Sequence, residues 1–294
     1  MLSFVKDFIL GSFLFEGDAL MQDIFMTRLH EFTIILYALS VLFYFFDFMH
    51  NNQRANRVAF WLLLFVWVLQ SSFLFIYIVE MKRFPILTIM EGLYFYSWVL
   101  VTFSLIINKW LKIDFIVFFT NVFGFVIMAI HTFAPARDSA QVHAAQVVSE
   151  LLFIHVTAAL LAYGMFTISF IFSVLYCLQY DLLKQKKWGK RVMRIADLAK
   201  LEHISYLLCV IGVPLFLIGL ILGVQWAVIQ RQDFLWYDPK IISSFIVLFV
   251  YSSFLYLRVL KKLRGKNGAL LNIASFLIML INFFLVGNFS NFHY

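Results

Sequence analysis

From Phe32 onward the chain keeps returning to apolar runs of about twenty residues, each broken by a short group of charged or turn-forming residues. About twenty residues is the length an α-helix needs to cross a hydrocarbon layer about 30 Å thick. Eight spans are expected, over residues 32–49, 58–79, 86–107, 115–133, 151–178, 204–229, 241–260 and 269–289. Only 13% of the 294 residues are charged, against about 25% in a soluble domain, and 63% are hydrophobic. The expected fold is an all-α integral membrane protein of the multi-pass type, a bundle of about eight transmembrane helices. With no repeat and no Gly/Ser or Pro tract to divide it, residues 31–294 read as one polytopic domain. Residues 1–30 read as an N-terminal extracytoplasmic segment, with Met21 or Met26 as alternative starts.

The net charge of +7 invites a nucleic-acid reading, but the basic residues are placed by topology. Lys184, Lys186, Lys187, Lys190, Arg191, Arg194 and Lys200 fill the fifth connection, and Arg258, Lys261, Lys262, Arg264 and Lys266 flank the seventh. With Arg54, Arg57, Lys109 and Lys112 they make sixteen of the 23 basic residues on one side. The positive-inside rule puts that side in the cytoplasm and both termini outside, in the cell (cytoplasmic) membrane. In the fifth connection Trp188, Val192, Ile195 and Ala199 recur at helical spacing beside Lys187, Lys190, Arg191 and Arg194. Such a stripe suits an interfacial helix that meets anionic lipid or docks a cytosolic protein. Cys177 and Cys209 both lie in apolar spans, which excludes a disulfide framework and a CxxCH haem attachment site.

Few other residues can carry chemistry. No catalytic triad, phosphate loop or metalloprotease motif is present, so no enzyme activity is expected. Of the seven histidines, His155 is the most informative, because "SELLFIHVTAALLAYG" puts it about one turn inside the fifth span. An imidazole at that depth needs a hydrogen-bond partner, a wet cavity or a metal. Two readings are open: satisfaction by a hydroxyl or carbonyl of a neighbouring helix, or axial ligation of haem iron. Zinc is disfavoured, since His131, His143 and His155 are twelve residues apart without cysteines or carboxylates at motif spacing. In "FPILTIMEGLYFYSW", Pro85 suits the start of the third helix and Glu91 falls near its second turn, to complete a helix terminus or shape a cavity.

Three stretches carry a resemblance. "RFPILTIMEGLYFYSWVL", "HVTAALLAYGMFTISFIFSVLY" and "LGVQWAVIQRQDFLWYDPK" stand in the order and spacing of segments in the CcsA/ResC-type cytochrome c assembly proteins, and "INFFLVGNF" follows. That resemblance implies an outward haem site made by a tryptophan-rich loop between two histidines, with two further histidines in the membrane. Carried over, the first outward histidine is His155, and the second falls on Phe289, with His293 one helical turn on. The two membrane histidines fall on Arg83 and Tyr256, and three loop tryptophans become Arg231, Leu235 and Tyr237. "MTRLHEFTIILYALSVLFYFFDF" and the closing "NFSNFHY" are instead similar to the HemX branch. This branch implies regulation of tetrapyrrole synthesis by lowering the level of glutamyl-tRNA reductase, the partner expected on the cytoplasmic side. The alternative is haem handling in cytochrome c assembly. Haem b is the one cofactor implied, with His155, Trp226, Trp236, Tyr237, Asp238, His293 and His131 as its candidate residues and His155 as the iron ligand. Lys187, Lys190, Arg191 and Arg194 are the candidate partner surface. The loop also has a plain reading: Trp226, Trp236 and Tyr237 suit an interface, with Asp238 as N-cap and Pro239 at the first helical position of the next span.

Overall fold

The computed structural model of the protein describes residues 28–50, 52–81, 83–85, 88–111, 114–133, 150–186, 197–230, 238–260 and 263–284. Within them stand eight helices: α1 (Arg28–His50), α2 (Gln53–Met81), α3 (Ile89–Leu111), α4 (Asp114–Phe133), α5 (Glu150–Lys184), α6 (Leu198–Gln230), α7 (Pro239–Val259) and α8 (Lys266–Phe284). All eight are long and apolar enough to cross a bilayer, as expected. Helix is the form such runs must take, because hydrocarbon offers no partner to backbone N–H and C=O groups.

Several boundaries differ from expectation by up to six residues, among them the start of α6 at Leu198 rather than at residue 204, and two of the differences have a visible physical cause. The fifth helix does not stop at residue 178 but continues to Lys184, so that at 35 residues it is longer than the hydrocarbon layer is thick. Its added turns are polar and held by a neighbour, with Asp181 Oδ1 accepting from Lys266 Nζ of α8 at 2.6 Å. The third helix starts at Ile89 rather than at Pro85. Thr88 Oγ1 accepts from the Glu91 N–H at 3.1 Å and Glu91 Oε2 accepts from the Thr88 N–H at 3.3 Å, a reciprocal capping box. Glu91 therefore belongs to the first turn, not the second.

Each helix separates a packed stripe from an apolar outward stripe. On α2 the buried positions are Ala55, Ala59, Leu63, Val66, Gln70 and Leu74, and the exposed ones are Val58, Trp61, Phe65, Val68, Phe75 and Val79. The buried set is spaced by three or four residues and the exposed set by three, four or seven, so each follows one face of a helix. An outward face this apolar is wrong for water and right for lipid. The basic stripe at Lys187, Lys190, Arg191 and Arg194 lies outside the described residues.

The helices form two groups of four. α3 packs on α2 and α4, and α5 packs most extensively on α6 and also on α8, with α7 against α6 and α8. α1 joins the first group through Ser40 Oγ, which donates to the Ala59 carbonyl at 2.9 Å, and through Tyr37 OH and Asn121 Oδ1 at 3.4 Å. α5 links the groups by packing on α3 and α4, which makes it the most buried of the eight. Successive helices run antiparallel. His30, His131 and His155 consequently fall at one end of the bundle, and Arg258 and Lys266 at the other.

Buried polarity holds the second group together. Asn272 Nδ2 of α8, with two hydrogens to give, lies 2.7 Å from Ser169 Oγ and 2.8 Å from Ser173 Oγ on α5 and 3.0 Å from Ser205 Oγ on α6. Cys209 closes the knot with Sγ 3.1 Å from Ser169 Oγ, so this thiol is a buried packing residue, as the sequence suggested. Association within lipid rests on close packing and such bonds, because apolar burial gives little net drive there. Asn272→Leu should remove the amide that three buried hydroxyls share and cost about 1–3 kcal/mol. Detergent unfolding should show that loss, whereas Leu277→Ala on the outward face of α8 should leave the midpoint nearly unchanged.

Candidate cofactor site at the histidine end

His155 lies in the second turn of α5 and meets a glycine face of α6. A Cβ added at Gly223 would come within 2.6 Å of His155 Nδ1 and 2.9 Å of Nε2, and one at Gly219 within 3.2 Å of the Ala159 amide nitrogen. The spacing Gly219-x-x-x-Gly223 thus clears one face of α6, so that the α5 backbone and the imidazole both lie against it. His155 Nδ1 is 2.6 Å from the Gly219 carbonyl oxygen. A carbonyl only accepts, so Nδ1 carries the proton and Nε2 of the neutral ring presents its lone pair. Many metal-binding histidines are held in this way, by a backbone carbonyl on the ring nitrogen that does not meet the metal.

The neighbouring helices complete the surroundings. Asp238 caps α7, its Oδ1 accepting from the Lys240 N–H at 2.7 Å, with Pro239 at the first helical position as the sequence suggested. Lys240 Nζ donates to the Asn282 carbonyl of α8 at 2.8 Å and lies within electrostatic reach of His155. Asn282 is fixed in turn by Ser243 Oγ, which donates to its Oδ1 at 2.7 Å. Trp226 packs with Val224 against buried Ala227 and Ile241, which ties the end of α6 to the start of α7. Trp236, Tyr237 and His293 lie outside the described residues.

His131 belongs to a different cluster. Its ring neighbours are His30 of α1 (centroids 5.7 Å apart) and Tyr94 of α3 (5.2 Å), and its Nδ1 lies 3.0 Å from the Met90 carbonyl oxygen. His30 was missed as a site residue because only tertiary packing brings residues 30 and 131 together. The glycine seat of His155 was missed too, although its signal, G-x-x-x-G at residues 219–223, is plain in the sequence.

The two positions on which the sequence resemblance placed membrane histidines, Arg83 and Tyr256, are occupied otherwise. Arg83 donates to Glu91 through both terminal nitrogens, Nη2 to Oε1 at 2.8 Å and Nη1 to Oε2 at 3.1 Å, and to Tyr77 OH at 2.7 Å. The bond to the Glu91 carboxylate raises the Arg83 pKa above its already high ordinary value and keeps the guanidinium charged. Tyr256 is 64% exposed on the outward face of α7. Glu91 is therefore structural: it caps α3 and pins the connection before it.

Two substitutions check this geometry. Gly223→Ala should force His155 or α6 aside and lower stability by about 1–3 kcal/mol, the usual range for overpacking; Val224→Ala, beside it, should cost less. Glu91→Gln keeps an acceptor for the capping box but loses the ion pair, so in thermal unfolding it should be milder than Glu91→Ala. Equal losses would show that the capping bond from the Thr88 N–H contributes nothing beyond the ion pair.

Comparison with known proteins agrees with this architecture. The family model described as Cytochrome C assembly protein matches residues 86–293. The chain is 54% identical to Protein HemX of Bacillus subtilis (strain 168), over 93% of this chain and 99% of that one. It is 40% identical to Protein HemX of Brevibacillus brevis, over 87% and 93%. Cytochrome c biogenesis protein CcsA of Mesostigma viride is 26% identical over 72% of this chain and 78% of its own length. The chain belongs to the cytochrome c assembly protein family and, within it, to the HemX proteins.

Proposed function

We propose that this membrane protein limits tetrapyrrole synthesis by lowering the level of glutamyl-tRNA reductase, and that haem b bound at His155 is its signal. The observation that carries the haem arm is the pinned imidazole: the Gly219 carbonyl holds Nδ1–H, and Nε2 is left with a lone pair aimed away from that bond. The donor set fits haem with one axial ligand. His155 would hold the iron, Lys240 would offset propionate charge, and Trp226 would offer an aromatic face near the membrane boundary. Trp236, Tyr237, Asp238 and His293 belong to the same proposed surroundings. When bound, haem would supply a Lewis-acidic iron and a broad apolar plane, and the chain's own residues would hold and orient it.

The regulatory arm rests on likeness to HemX proteins and on the basic connection. Its Lys187, Lys190, Arg191 and Arg194 would meet the reductase on the cytoplasmic side, at the opposite end of α5 and α6 from His155. Any signal along those helices requires haem to bind two arrangements of the bundle with different affinity.

A second reading, haem handling in cytochrome c assembly, is favoured by the family match over residues 86–293. It is weakened by Arg83, which is engaged by Glu91, and by the outward-facing Tyr256, since neither offers a neutral nitrogen ligand inside the bundle. Detergent-purified protein mixed with haem b should give the Soret band of a histidine-ligated iron, and His155→Ala should abolish it. In cells sufficient in haem, deletion should raise reductase abundance and leave c-type cytochromes at normal levels. Unchanged reductase would defeat the regulatory reading, and lost c-type cytochromes would favour the second one.

A further inference from the structure

The first helix group has a histidine cluster that the haem proposal does not use. His30 of α1 faces His131 of α4 with ring centroids 5.7 Å apart and planes tilted by 52°. Phe73 of α2 stands edge-on to His30 at 4.1 Å, and Tyr94 of α3 lies 5.3 Å from His30 and 5.2 Å from His131. All four helices therefore contribute one ring to a single layer. At His131, Nδ1–H is given to the Met90 carbonyl, so Nε2 has a lone pair.

Below that layer is an unanswered acceptor. Gln70 precedes Phe73 by three residues on α2, Ser97 follows Tyr94 by three on α3, and Met128 precedes His131 by three on α4. The fully buried Gln70 amide donates toward Ser97 Oγ and Met128 Sδ, at 3.5 and 3.9 Å, while its Oε1 has no hydrogen-bond partner. A buried amide oxygen without a donor signals a bound group or water close by.

We propose that His30 and His131 form a two-coordinate site for monovalent copper, distinct from the haem site at His155. The spacing suits one ion between the rings. A ligating nitrogen sits about 1 Å from its ring centroid and about 2 Å from the metal, giving about 6 Å between centroids when the three atoms are in line and less when they bend. A porphyrin does not fit, because Phe73 and Tyr94 occupy the space its plane would need. The chemistry of the surroundings selects the ion. Among the described residues no third histidine, cysteine or carboxylate joins the pair, so a zinc ion would have half of its usual four ligands and an uncompensated double charge. A singly charged, soft copper ion accepts two imidazoles and costs less to desolvate, and the Tyr94 ring beside both histidines adds cation–aromatic attraction.

The test uses the full chain, purified haem-free in detergent and titrated anaerobically with cuprous ion against a chromogenic cuprous chelator. The protein should retain one equivalent. His30→Gln and His131→Gln should each weaken retention at least tenfold, while His50→Gln, at the other end of α1, should not change it. X-ray absorption of the copper-loaded wild type should show two nitrogen ligands, a readout that does not depend on how the variants fold. Copper stripped as readily from wild type as from the double variant, a three- or four-coordinate spectrum, or tighter binding of zinc than of copper would each overturn the proposal.

Discussion

Everything in this bundle follows from the absence of water around its helices. In hydrocarbon a polar side chain that lacks a partner is costly, so those carried into the spans are drawn inward and bound to one another. Asn121, Asn272 and Asn282 are all buried, and each joins two or more helices. The apolar residues are free to face outward, which reverses the usual distribution and leaves packing specificity to polar knots and small residues.

His155 is a case of the same rule with a chemical consequence. Its ring has to be satisfied, and the Gly219 carbonyl satisfies one nitrogen only. Gly223 is what lets α6 come close enough for that bond, since any side chain there would occupy the space of the imidazole. The two readings left open for His155 in the sequence are thus compatible: a carbonyl partner on Nδ1 leaves Nε2 as a potential ligand. The same logic gives Arg83 a structural part. With Glu91 and Tyr77 around it, the guanidinium closes the connection between α2 and α3.

The eight spans were legible because hydropathy over twenty residues depends on composition alone. Asp238 and Pro239 were legible as a helix start because capping is local chemistry. The start of α3 was misjudged because Pro85 is a strong local signal, while the decisive one is the Thr88–Glu91 pair three residues apart. The length of α5 was hidden because its last turns are polar and depend on Lys266, eighty-five residues away. The meeting of His30 with His131 and the lipid-facing position of Tyr256 depend on how whole helices are rotated against each other. No window of sequence carries that information.

The central claim is that His155 is held with a proton on Nδ1 and an unprotonated Nε2. Nitrogen NMR of protein labelled at its histidine rings, with His155 assigned by its loss in His155→Gln, tests this directly. The account predicts a neutral ring with a protonated Nδ1 and an Nε2 signal that shifts or broadens when haem b is added. A His155 ring protonated on Nε2, or one indifferent to haem, would contradict it.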